Sequence, residues 1–139
     1  MTALLDRLLG LWQEPIDERD DPEAAFREVY ADPVSINGTP MPVSWLVERA
    51  RALQRAFEGL TTEIVDQVET PDRVAIAFYM RARHVGPLVT PVGTVTPTGG
   101  AVVVRTIDIL TVADGLITAL WVVSDELGML TQLDVVRLA

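Results

Sequence analysis

The sequence predicts an α+β fold. It is one domain over residues 1–139, a cone-shaped, curved antiparallel sheet with three helices of the N-terminal half enclosing a pocket. Three observations predict it. Apolar residues recur at helical spacing through the first half and alternate at strand spacing through the second, the order that gives helices packed on one side of an antiparallel sheet. The chain has 139 residues, 49% hydrophobic and 22% charged, which suits a single domain with its own core. Its long alternating segments are joined by tight-turn signals, and long antiparallel strands coil into a face that helices can close.

Each element follows from local chemistry. Residues 3–13 form a helix with Thr2 as its cap and Leu5, Leu8, Leu9 and Trp12 on one stripe, stopped by Pro15. A second helix starts at Asp21-Pro22, a cap residue followed by proline in the first turn, and buries Ala25, Phe26, Val29 and Tyr30. Ala31-Asp32-Pro33 ends it, and residues 34–37 make a short strand. A third helix spans 44–58, with Leu46, Ala50, Leu53 and Phe57 inward and Gly59 as its C-cap. Four strands follow at 62–69, 73–84, 101–112 and 116–125, the last two joined by the Asp114-Gly115 turn. Residues 85–100 read as a loop rich in Gly, Pro and Thr. In the tail, residues 135–138 are a candidate edge strand.

Composition narrows the function classes. The formal net charge is -9, and all eleven cations are arginine. Such a surface repels nucleic acid and anionic membranes, whose recognition needs clustered basic residues. There is no cysteine, which removes disulfides, thiol nucleophiles and thiolate metal sites. One histidine leaves no ligand set for zinc, so no metal is expected. The amphipathic start lacks a basic leader region, and no apolar run reaches membrane-spanning length. The expectation is a cytoplasmic protein with neither nucleic acid nor membrane as partner.

Four groups of residues carry a resemblance. They are Arg83-His84-Val85-Gly86, Thr96-Pro97-Thr98-Gly99, Asp114-Gly115-x-Ile117, and Asp125-x-x-Gly128-x-Leu130-x-Gln132-Leu133. Together they are similar to the SnoaL-like polyketide cyclases, of the nuclear transport factor 2-like, cystatin-like cone, over nearly the whole chain. The resemblance implies a cofactor-free enzyme of secondary metabolism. It would perform aldol ring closure or isomerisation of a hydrophobic, oxygenated small molecule with one carboxylic acid moving the protons. It also implies a homodimer formed through the sheet.

The resemblance maps unevenly onto the candidate residues. Asp108 occupies a strand position that holds a hydrogen-bonding acid or histidine in these enzymes. It is the candidate catalytic acid/base, or else a surface carboxylate paired with Arg105 or a neighbouring strand. His84, at a strand end before the loop, is the auxiliary catalytic candidate, or else an anchor for that loop. Asn37 falls where the isomerases place a base. An amide cannot take a proton at neutral pH, so it either orients a ligand or serves as a turn residue before Gly38. Val122 falls where the cyclases keep their catalytic aspartate, so it is a pocket-lining candidate at which the family's acid is missing. Trp121 lines the pocket or fills the core. Tyr79 donates a hydrogen bond inward or packs. Asp125 is a ligand-binding candidate or the cap of the following turn. Arg81, Arg83 and Arg105 form a row that binds an anion or balances surface carboxylates.

Three functions therefore stand side by side. One is the acid/base enzyme. The second is a small-molecule binding protein that kept the pocket and lost the acid. The third is an interaction module that uses the exposed face of the sheet.

Overall fold

The computed structural model describes residues 2–139. Helix α1 runs Thr2–Gln13 and buries Leu4, Leu5, Leu8 and Leu11. A 3-10 turn at Ile16–Glu18 seats Ile16 in the core. Helix α2, Pro22–Arg27, starts as its sequence requires. The Asp21 carboxylate accepts the Ala24 N–H at 3.0 Å, and proline occupies the first turn.

Strand β1 spans Tyr30–Ile36, four residues earlier than its apolar pattern suggests, and it runs through a cis Asp32–Pro33 bond. Asp32 is tied down at both oxygens. One carboxylate oxygen accepts the Val43 N–H at 3.1 Å, at the start of α3, Val43–Ala56. The other binds Arg27 at 3.1 Å. A carboxylate at a helix N-terminus satisfies an orphan donor and favours the helix dipole. Here it does so from eleven residues upstream.

Strands β2 (Thr39–Met41), β3 (Phe57–Glu69), β4 (Arg73–His84), β7 (Ala101–Ala113) and β8 (Leu116–Ser124) complete one six-stranded sheet with β1, ordered β2-β1-β8-β7-β4-β3. Only β1 and β8 pair in parallel. The sheet twists further at irregularities within β3 and between Thr111 and Val112.

Gly59 is not a helix cap. Helix α3 stops at Ala56 because Phe57 is already extended and paired with His84, and Gly59, at φ 63°, lies in the bulge of β3. The loop expected at 85–100 contains a small hairpin, β5 (Leu88–Thr90) and β6 (Gly93–Val95), whose Leu88 is buried.

The tail departs most from its expectation. Glu126–Gln132 is a fourth helix, α4, and residues 135–138 form no strand. Asp134 adopts φ 57°, its N–H bonds Thr131 O, and the Val135 N–H bonds Leu130 O. That is a left-handed helix stop of the Schellman type, which turns the chain out of any extended path.

The core divides into two clusters on the concave face. The larger joins α1, α2 and α3 to β1, β4, β7 and β8 through Phe26, Val34, Leu46, Val74, Ile76, Leu110 and Ile117. The smaller gathers Phe57, Leu88, Val102, Val104, Met129 and Leu133 under the hairpin and α4. Inner-face side chains of the middle strands, Phe78, Met80, Asp108 and Val122, remain half-buried.

Candidate active site

Strand periodicity decides which residues reach the concave side. Along β7, Thr106, Asp108 and Leu110 face inward, while Arg105, Ile107 and Ile109 face out. Asp108 is paired with Ile76 of β4 on one side and Val122 of β8 on the other. Its neighbours along the same face are the Thr106–Ser124 hydroxyl pair, 3.0 Å apart, and buried Leu110.

The carboxyl of Asp108 is therefore held among apolar walls. One of its oxygens is sealed from solvent and has no hydrogen-bond partner among the described residues. Burial disfavours the charged form and pushes the acid up to about 7. The outward ion pair with Arg105, the alternative for Asp108, does not form; Arg105 binds Asp125 instead, at 2.8 Å.

Tyr30, at the start of β1, lies deep in the same cluster. Its ring stacks on Phe26 with centroids 6.1 Å apart, and its hydroxyl accepts the indole N–H of Trp12 at 3.0 Å. Burial, the largest influence, raises its pKa. The Asp108 charge adds to that rise, so the two groups feel each other electrostatically. Sequence reading placed Tyr30 in the core and missed the polar pairing, because a tyrosine on an apolar stripe carries no local sign of its hydroxyl partner.

Of the seven candidates, the structure brings Asp108 and Val122 together. Asn37 meets the Val122 backbone alone, and the other four stand elsewhere. His84 is fully buried in the second cluster, eight residues along β4 from the strand partner of Asp108, or about 26 Å at strand rise. Its Nδ1 accepts the Thr98 N–H at 3.2 Å and sits 2.9 Å from Thr98 Oγ1. The ring thus staples the 96–100 segment to β4 beside Phe57. Gly86 follows because the chain passes against α3 there; an added Cβ would lie 2.0 Å from the Arg55 carbonyl oxygen.

Asn37 is exposed at the end of β1, at φ 49°. Its amide is engaged at both ends by the Val122 backbone. Oδ1 accepts the Val122 N–H at 2.8 Å, and Nδ2 donates to the Val122 carbonyl at 3.3 Å. It behaves as one more rung of the β1–β8 ladder. Trp121 belongs to neither the core nor the pocket. It is 54% exposed on the outer face, opposite Ile109, because its neighbours Leu120 and Val122 take the inward positions.

Tyr79 also faces out, beneath the Arg81 guanidinium at 5.4 Å. Asp125 caps α4, accepting the Gly128 N–H at 2.9 Å, and its bond to Arg105 holds its carboxyl below the usual range. Gly128 has no room for a side chain beside that cap. Gln132 mirrors Asn37, bonding both the N–H and the carbonyl of Val103 at 2.7 and 2.9 Å. The arginine row is matched by acids, Arg81 with Glu63 and Arg83 with Glu58.

Two open recesses lie away from Asp108. One, of about 320 Å³, lies between the β5–β6 hairpin and Leu130, Val135 and Val136. The other, of about 400 Å³, is lined by Glu58, Gly59 and Arg81–Arg83 and is a surface groove. Neither is lined by Asp108, whose neighbours on the concave face are the half-buried Phe78, Met80 and Val122 side chains. Among the described residues no three His, Asp or Glu side chains gather as a metal site, and no helix is long and apolar enough to cross a membrane.

The coiled sheet closed by helices defines an α+β cone of the nuclear transport factor 2-like kind. The chain belongs to the SnoaL-like polyketide cyclase family, whose model matches residues 7–133. Its fold is that of TsrD from Streptomyces laurentii, at 20% identity and TM-score 0.81 over 97% of this chain and 95% of that one. IdmH from Streptomyces antibioticus matches at 24% identity and TM-score 0.75, over 96% and 97%. A SnoaL-like polyketide cyclase from Agrobacterium tumefaciens matches at 19% and 0.71, over 94% and 97%. At these identities the structural likeness speaks for the fold alone. No protein with a curated description matches the sequence.

Proposed function

We propose that the protein is a cofactor-free acid/base enzyme acting on a hydrophobic, oxygenated small molecule, with Asp108 as the group that moves the proton. The observation that carries this reading is the partnerless, buried carboxyl oxygen of Asp108 on the concave face. An acid poised at about 7 is half protonated under neutral conditions. It can take a proton from an activated carbon and return it, to the new alkoxide oxygen in an aldol cyclisation or to another carbon in an isomerisation. Thr106 and Ser124 supply hydroxyls along the same face. In this reading His84, Asn37 and Asp125 fasten the loop, the ladder and the last helix.

The test needs no natural substrate. A panel of hydrophobic 1,3-diketones in D₂O reports proton abstraction as loss of the methylene signal. The parent exchanges these protons faster than buffer. Asp108→Asn loses that gain by about 100-fold or more, the scale of general acid–base catalysis, while melting no lower than the parent. Full exchange in the variant overturns the assignment.

A second reading is a small-molecule binding protein without turnover, and Val122, where the resemblance puts the family's acid, favours it. It predicts tight ligand retention with no exchange above buffer.

The outer face of the sheet supports a homodimer. Ile107, Ile109, Trp121 and Val123 form an exposed apolar patch across β7 and β8, and such a patch needs cover. The occupant we propose is a second copy of the chain.

A further inference from the structure

We propose that the Ser124 hydroxyl, steadied by Thr106, holds the carbonyl oxygen of the carbon acid that Asp108 deprotonates, so that the site selects substrates whose acidic C–H lies next to a carbonyl. The inference deepens the acid/base reading and rests on it. Sheet register places the three side chains together. Asp108 stands between Ile76 and Val122 on one rung of the ladder, and Thr106 stands between Phe78 and Ser124 on the next inward rung. The inward rungs on either side are apolar, Val74–Leu110–Leu120 beyond Asp108 and Met80–Val104 beyond Thr106. On the three middle strands the polar side chains of this stretch are thus confined to two adjacent rungs. Asp108 and Ser124 are diagonal neighbours, a relation that sets them about 7–8 Å apart.

The 3.0 Å contact between Thr106 Oγ1 and Ser124 Oγ fixes both hydroxyls on the concave side. It uses one of their two protons. Neither hydroxyl makes another hydrogen bond among the described residues. Thr106 is 7% exposed and Ser124 is half-buried. A buried donor left unmet is costly, so the inner Thr106 donates to Ser124, and the outer Ser124 keeps its proton to give. A hydroxyl that accepts one hydrogen bond donates the next more strongly. A base and a donor at this separation bracket a C–H and the oxygen on the adjoining carbon, each within a reach of about 3 Å. Asp108 takes the proton, the C–H electron pair becomes the new C=C bond, and the carbonyl π pair moves onto oxygen. Ser124 meets that charge as it forms, with no solvent to reorganise. Thr106 is then a positioning residue and Ser124 one that touches substrate.

The experiment compares two carbon acids, benzoylacetone and benzylmalononitrile, in the D₂O exchange assay with the intact protein. Both offer an activated C–H on an aromatic body. Only the first has a carbonyl oxygen on the adjoining carbon; the nitriles carry charge to nitrogens that point away along a line. The parent should exchange both faster than buffer. Ser124→Ala should lose about tenfold or more on the diketone, in kcat and with KM changed less than about twofold, and less than about twofold on the dinitrile. Thr106→Val, which keeps the shape, should fall between the parent and Ser124→Ala on the diketone alone. Equal losses on both probes in Ser124→Ala, or none on either, reduce the pair to packing and overturn the inference.

Should Ser124→Ala fail to fold, Ser124→Cys keeps the bulk with a weaker donor. It should lose diketone exchange in the same selective way, and a parental rate in that variant overturns the inference. Asp108→Asn separates the two claims, because it should lose exchange of both probes. Diketone exchange lost in Asp108→Asn but intact in Ser124→Ala sinks this inference and leaves the acid standing. A parent no faster than buffer on either probe sinks both.

Discussion

Asp108 of β7 stands directly across the ladder from Val122 of β8, both facing the concave side. In antiparallel strands such partners have Cβ atoms about 4.5–5.5 Å apart. An acid on either residue therefore serves nearly the same space. On the proposed reading, the position at which the resemblance puts the family's acid, Val122, is apolar here, and the neighbouring strand carries the carboxyl. Moving the acid across the ladder, in the double variant Asp108→Asn with Val122→Asp, should restore part of the diketone exchange that Asp108→Asn alone loses. Exchange no faster than in Asp108→Asn counts against one shared site.

The raised Asp108 acid makes stability depend on pH with a definite sign. Folded, Asp108 holds its proton up to about pH 7; unfolded, it releases it near about 3.9. Between those values the folded state binds more protons, so this group's contribution falls as pH rises through the window and is flat above it. The full span corresponds to about 4 kcal/mol at most. Asp32 and Asp125, held below the usual range, act in the opposite direction at lower pH. The difference between parent and Asp108→Asn cancels them. Urea titrations should show the variant near parity at pH 4 and more stable by a few kcal/mol at pH 8. Parity at both values contradicts the buried acid.

Asn37 can be separated from catalysis by its backbone role. Asn37→Ala removes two hydrogen bonds to Val122 and places an alanine at φ 49°. It should cost about 1–3 kcal/mol, at bonds of roughly 0.5–1.5 kcal/mol each. Asn37→Gly removes the bonds without the strain and should cost less. Both variants should keep the parent's rate of diketone exchange. Loss of that exchange with unchanged urea midpoints would return Asn37 to the ligand.

His84 and Gly86 should behave as structural residues. His84→Ala empties a fully buried site and frees the 96–100 segment, and Gly86→Ala drives a methyl into the Arg55 carbonyl. Each should destabilise by about 2 kcal/mol or more. The pH profile of exchange, measured on the folded fraction, should be unaltered. A profile that loses a limb in His84→Ala assigns the imidazole to the chemistry.

The outer face makes its own prediction. Trp121→Glu, set among Ile109, Ile107 and Val123, should turn a dimer into a monomer by light scattering at micromolar concentration and leave the concave site unaffected. A parent that is already monomeric at that concentration refutes the proposed pairing.

What could be read from the chain was whatever depends on neighbours in sequence. The Asp21-Pro22 start of α2, the Asp114-Gly115 turn and the alternation along β4 are local patterns, and they formed as expected. The inward aim of Asp108 was legible as one of two faces, and the surrounding Val104, Thr106 and Leu110 settle which one. The features that were not legible share a cause, because each depends on a distant partner. Asn37 and Gln132 complete strands far from them in sequence, and Asp32 caps α3 from another element. The pairing of Phe57 with His84 ends that helix early and turns Gly59 into a bulge. Tyr30 was visible as an apolar position, but no pattern shows that its hydroxyl meets the Trp12 indole.

The most direct test follows the Asp108 carboxyl itself. In protein labelled with [¹³C]carboxyl aspartate, the resonance absent from Asp108→Asn identifies the group, and its chemical shift is followed from pH 3 to pH 9. A midpoint near 7 is the result the buried acid requires. A midpoint near 4, the ordinary value for an aspartate in water, would leave the concave face without an acid and contradict the proposed chemistry.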